Sequence, residues 1–209
     1  FLNCNIHVHY TIIELDCQVG YKCSKGEDIM YYIDVLMKEH ENIMKLIDHM
    51  LCVARDVMHG DVNSSDIRLI TDVIKNYADD YHHKKEEDIL FKAMLENLGD
   101  VAEKLIRNGM LVEHDLARYE RMMIDESLDK YERTKSDEAR LELIGHLMSY
   151  RSLLERHADK ENKVLYPFAQ KNLPMDVQEE LDSLTQAYER DESQTRDKYL
   201  DIINNFKND

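Results

Sequence analysis

The chain has 209 residues, 43% of them apolar, with 6 Gly, 2 Pro, no Trp and a formal net charge of −16. That length can bury the core of one domain, and so few chain-breakers beside abundant Leu, Met, Glu and Lys fit long helices. So acidic a balance excludes nucleic acid as a partner, because phosphate binding needs cations that displace counterions, and it excludes adhesion to an anionic membrane.

Residues 1–25 are rich in Cys, His, Tyr and β-branched types and show no helical period. The expected division is an N-terminal extension of unknown role over 1–27, a bundle over 28–171, and a C-terminal helix packed on it over 172–209. Cys4, Cys17, Cys23 and Cys52 match neither a zinc motif nor a disulfide framework. No run reaches the ~18 apolar residues of a membrane span, and no basic-then-apolar leader opens the chain. A reduced, cytoplasmic setting is the expectation.

From Met30 the pattern turns helical. Over 28–58, Ile33, Leu36, Met37, Ile43, Met44 and Ile47 form one stripe, with His40 inside it. His49 falls on the opposite side and is expected to face solvent. A second helix is expected from a Ser64 or Ser65 cap to about Asn97, before the break Leu98-Gly99-Asp100. A third covers 100–131, in one piece or in two around Asn108-Gly109. A fourth starts from a cap within Thr134 to Asp137 and runs to Lys171. Asn172-Leu173-Pro174 then stops the chain and starts a last, acidic helix over 175–206. The connections are short. The fold class is all-α, an up-down-up-down four-helix bundle of two pseudo-symmetric hairpins, flanked by the last helix.

The hairpins repeat. His82-His83-Lys84-Lys85-Glu86-Glu87-Asp88-Ile89-Leu90-Phe91 returns as His157-Ala158-Asp159-Lys160-Glu161-Asn162-Lys163-Val164-Leu165-Tyr166. Each copy follows a His flanked by acids, Glu39-His40-Glu41 and Glu113-His114-Asp115. In a helix, residues i and i+4 lie ~40° apart in rotation and ~6 Å apart in rise, so His82/Glu86 and His157/Glu161 each present two donors on one face. Each half offers two imidazoles and one carboxylate, and two halves make a six-ligand, two-metal centre of His40, His82, Glu86, His114, His157 and Glu161. Imidazole with carboxylate suits iron, manganese or zinc.

His83/Glu87 is a competing i, i+4 pair. Superposing Leu90-Phe91 on Leu165-Tyr166 selects His82/Glu86, because Glu87 then matches Asn162. His83 and Glu87 become outer or surface residues. Tyr150 and His146 return to the face of His157. Tyr150 is read as a hydrogen-bond donor to the centre or a plain core aromatic, and His146 as lining a route or as a backbone-bonded polar residue. Asp79, Asp80, Glu155 and Asp159 are read as solvated.

These two strings, together with Gly109-Met110-Leu111-Val112-Glu113-His114-Asp115 and Arg118, resemble the hemerythrin-like (HHE cation-binding) family from about Met30 to Ala169. The resemblance implies a four-helix bundle around two iron ions, oxo- or hydroxo-bridged, held by His40, His82, Glu86, His114, His157 and Glu161. It implies a small diatomic or peroxide ligand (O2, NO or peroxide) and a role in oxygen or oxidative and nitrosative stress handling. The four-His, two-Glu set departs from the oxygen-carrying hemerythrins, which use five His with one Glu and one Asp. It is more similar to bacterial repair proteins for iron–sulfur centres, which add a vicinal Cys pair that this chain lacks. Iron donation to an apo iron–sulfur partner, with a redox partner, is the second expectation. A regulatory module stabilised by its metal is the third.

Overall fold

A computed structural model describes residues 29–206. The expectations for 1–27, including a metal site made by Cys4, His7, His9, Cys17 and Cys23, lie outside the described residues. The described residues form six helices: α1 (Tyr31–His59), α2 (64–97), α3 (99–134), α4 (137–172), α5 (Met175–Asp191) and α6 (Ser193–Asn204). No strand occurs among the described residues.

The connections explain the antiparallel order. α1 ends at Gly60, whose φ of 93° is left-handed and whose N–H bonds Asp56 and Val57 carbonyls. A Cβ there would also press against Arg140 Nη1 at 3.3 Å. α2 is capped by Asn63, whose side chain accepts from the Asp66 N–H. The expected caps, Ser64 and Ser65, are instead its first helical residues; Asn63 sits one position earlier, and its side-chain oxygen takes up an orphan N–H of the first turn. Ser136 caps α4 by accepting from the Ala139 N–H.

α1 packs on α4, α4 on α3, α3 on α2, and α2 on α1, which closes the up-down-up-down ring. α5 and α6 cover the groove between α1 and α2. The last segment therefore bends, against the expectation of one helix over 175–206. The break at Glu192 (φ −96°, ψ 13°) re-aims the chain so that Tyr199, Ile203 and Phe206 enter the core.

That bend also corrects the reading of His49. Its ring is buried, stacks on Phe206 at 4.3 Å and lies 3.1 Å from Asp66 Oδ1. A four-helix count leaves that face to water, but α6 covers it.

Two apolar clusters fill the bundle. One runs from Ile43 and Leu46 through Tyr77 and Leu147 to Phe206. The other joins Tyr32, Leu36, Phe91, Ile106, Tyr166 and Leu181. Between them lies a layer of buried His and Glu.

α1 stays α-helical, whereas α2, α3 and α4 carry π-helical turns: Ile74–His83 and Glu86–Phe91 in α2, Ile106–Met110 in α3, Glu161–Leu165 in α4. α3 thus passes Asn108-Gly109 as one helix with a widened turn. Such turns often mark functional sites, and each here lies at or just before a buried donor residue.

Candidate metal centre

Seven side chains from four helices converge. α1 supplies His40; α2 supplies His82, His83 and Glu86; α3 supplies His114; α4 supplies His157 and Glu161. All seven are at most 2% exposed. Their donor atoms form two groups, His40/His82/Glu86/Glu161 and His83/Glu86/His114/His157, within each of which every donor lies within 4.8 Å of the others. Glu86 belongs to both.

The distances show how the halves interlock. His40 Nε2 lies 3.0 Å from His82 Nε2, and His114 Nε2 lies 3.2 Å from His157 Nε2. Glu161 Oε2 lies 3.2 Å from His40 Nε2 and 3.1 Å from His157 Nε2. Glu86 Oε2 lies 3.7 Å from His82 Nε2 and 3.4 Å from His114 Nε2. Each carboxylate thus reaches one imidazole in each group.

Glu86 Oε2, both Glu161 oxygens and His83 Nε2 are buried with no hydrogen bond. Orphaned acceptors in so dry a layer are costly unless something cationic joins them. An N···N spacing near 3 Å is also that of two neighbouring donors each ~2.1 Å from one ion. The residues present therefore fit a metal centre.

The outer contacts explain the acids beside His40 and His114. Glu39, ~100° round the helix from His40, turns to α2 and meets His82 Nδ1 at 2.8 Å. Glu113 does the same for His157 Nδ1 at 2.9 Å. His114 Nδ1 meets Glu87 Oε1 at 2.7 Å, and His40 Nδ1 meets Asn162 Oδ1 at 2.9 Å. With Nδ1 so engaged, Nε2 points inward in all four. Lys85 and Lys160, three residues after His82 and His157, pair with Glu39 and Glu113. Lys85 is buried and also pairs with Glu189 of α5; Lys160 is about half exposed.

Charge is tuned by these partners. Burial lowers the His157 imidazole, but the Glu161 and Glu113 carboxylates outweigh it and raise it to about 10. Burial, reinforced by the neighbouring His114, drops His83 to about 3, so His83 is neutral at ordinary pH and its lone pair is free for a metal. Hydrogen bonding to His157 first, and to Lys160, holds Glu113 down at about 2.

The six predicted ligands thus meet in one layer. His83 joins them, stacked on His114 at 3.8 Å and edge-on to His157 at 5.6 Å. Alignment of the two copies chose between His82 and His83; the π-turns of α2 bring both inward, because a wider turn rotates less per residue. Glu87 holds His114 and accepts from Arg118 Nη2 at 2.7 Å. Asp79, expected in solvent, is half-buried and accepts from Arg118 Nε at 2.8 Å. Asp80, Glu155 and Asp159 are exposed. His146 turns away to Glu120 at 2.8 Å, and Tyr150 is fully buried in the apolar cluster with its hydroxyl unpaired.

Tyr166 escaped the sequence reading as a site residue. Its hydroxyl donates to Glu86 Oε1 at 2.6 Å and lies 3.4 Å from His40 Nε2. Its place opposite Phe91 in the repeat marked it only as an apolar anchor.

A buried layer of imidazole and carboxylate in a four-helix bundle defines a helical metal-binding domain. The family model for the hemerythrin HHE cation-binding domain matches residues 32–169, and the chain belongs to that family. Comparison with curated proteins and with solved structures finds no match. No helix among the described residues is long and apolar enough to cross a membrane.

Proposed function

We propose that this chain is a non-haem di-iron protein that binds or reduces a small ligand, O2, nitric oxide or peroxide. The observation that carries this reading is the pair of overlapping donor groups sharing Glu86. His40 and His82 would hold one ion, and His83, His114 and His157 the other. Glu86 and Glu161 would bridge them. The donor set suits iron, manganese or zinc, and likeness to the hemerythrin-like proteins supports the choice of iron.

Bound iron would supply the redox electrons and an exchangeable position. Tyr166 borders the group with two imidazoles, 3.4 Å from His40 Nε2. Glu39, Glu87, Glu113 and Asn162 fix the imidazole orientations, and the two apolar clusters keep water from the layer.

Elemental analysis of protein purified without added metal, with optical spectra before and after air, tests the reading. About two irons per chain and new near-ultraviolet bands support it. Zinc alone with a featureless spectrum moves the function to a metal-stabilised interaction module. Iron donation to a damaged iron–sulfur protein is the second reading, and a cleft beside His40 favours it.

A further inference from the structure

The Nδ1 contacts of the four repeated imidazoles match between the two halves in every residue type but one. Glu87 on α2 and Asn162 on α4 are equivalent in the repeat, and each holds the imidazole of a neighbouring helix, His114 and His40 respectively. His82, His114 and His157 each rest on a carboxylate, whereas His40 rests on a neutral amide. A hydrogen bond to an ionised acceptor is about twice as strong as one between neutral groups. His40 is therefore held less firmly than its three counterparts.

The weak place faces a way out. A cleft of about 570 Å³ between α1 and α4 is lined by Met37, His40, Met44, Glu155, Asp159 and Asn162, among others. The clefts beside His146, beside His49 and against α5 include no donor of the centre. His83 also has no close outer partner, Asp79 Oδ1 being 3.5 Å away, but its ring is enclosed by His82, His114 and His157. Of these four clefts, the α1–α4 one alone brings a loosely held imidazole, His40, to its wall.

We propose that the α1–α4 cleft is the port through which a metal cation enters and leaves the centre, with His40 as its gate and the Asn162 amide as a deliberately weak latch. The inference rests on the reading of the layer as a metal centre. A gate of this kind makes one of the two ions the exchangeable one, the ion on the His40/His82 side. The cleft is lined by three carboxylates, Glu41, Glu155 and Asp159, against one cation, Arg156, a balance that suits a cation as the traveller.

Two variants test it. Asn162→Glu restores the residue type that the other half uses, and Glu155→Trp narrows the exposed rim without touching a donor. Uptake of ferrous iron under anaerobic conditions and its release to a ferrous chelator are followed by absorbance, with bound iron checked by elemental analysis. The expected result is that Asn162→Glu slows uptake and release alike by about tenfold, within the range that outer partners command. Glu155→Trp slows both in the same direction, and each variant fills to the wild-type stoichiometry. Unchanged rates in both variants overturn the port. Slower release with unchanged uptake in Asn162→Glu marks an ordinary gain in affinity and overturns it too. A wild-type chain that takes up no metal sinks the metal centre itself, which separates that failure from failure of the gate.

Discussion

Tyr166 donates its hydroxyl hydrogen bond to Glu86 Oε1 at 2.6 Å, across the layer from α4 to α2. Both groups are fully buried. The other Glu86 oxygen has no hydrogen bond, so Tyr166 leaves Oε2 to point at the imidazoles. Tyr166→Phe keeps the ring that stacks on His40 at 5.6 Å and removes only this bond. We expect metal-free stability to fall by about 1–3 kcal/mol, the range for an acceptor stripped of its partner. Metal affinity is expected to fall by roughly tenfold. Urea denaturation and a metal titration measure the two separately; an unchanged affinity would remove Tyr166 from the centre's support.

His83 gives a sharper test of the ligand set. If it completes the three-imidazole position, His83→Ala lowers the bound metal below the wild-type stoichiometry, or weakens one of two binding steps. His146→Ala, whose imidazole faces Glu120 at the α3–α4 surface, leaves both steps intact. Calorimetric titration of the metal-free protein resolves the steps. Full, two-step binding in His83→Ala would return the centre to six ligands.

Much of this was legible before the structure because the repeat carries it. His82/Glu86 and His157/Glu161 lie one turn apart, and any helix brings such pairs together. The upstream imidazoles follow from the antiparallel hairpins. His83 was hidden because a uniform α-helix turns it ~100° from His82. The widened turns of α2 have no pattern of apolar residues that announces them. Lys85 and His49 were hidden for another reason. Their burial depends on α5 and α6, whose docking onto α1 and α2 is a tertiary event. The acids Glu39 and Glu113 were visible as flanking charges, but their target helix could be named only once neighbours were known.

Lys85 and Lys160 occupy equivalent places with unequal surroundings. Lys85 lies between Glu39 and Glu189, over the Tyr81 ring, and is 1% exposed. Replacing it with Met removes the buried cation shared by two acids, leaving Glu39 with His82 and Glu189 with Tyr81 and Arg196. Breaking a buried pair from one side costs about 3–5 kcal/mol. Lys160 is about half exposed, and Lys160→Met is expected to cost no more than about 1 kcal/mol. Chemical denaturation of the two variants should show this difference. Equal losses would mean that α5 does not seal Lys85 in solution.

Acid should loosen the α2–α3 contact before the bundle as a whole. Burial raises the Asp79 carboxyl, but contact with His83 and the hydrogen bond from Arg118 overcome it and hold it at about 2. Glu87 follows the same pattern: burial raises it, and bonds to His114 and Arg118 bring it to about 2. Unfolded carboxyls titrate near ~4. A carboxyl depressed on folding contributes stability that is complete above the unfolded value and is lost as pH falls toward the folded one. Metal-free protein should therefore lose stability as pH drops from ~4 toward about 2. Arg118→Met removes the guanidinium common to both acids, so it should lower stability at neutral pH and flatten the acid branch. Urea midpoints measured across that range, wild type against Arg118→Met, decide the matter. Parallel acid branches would show that Arg118 does not hold these two carboxylates.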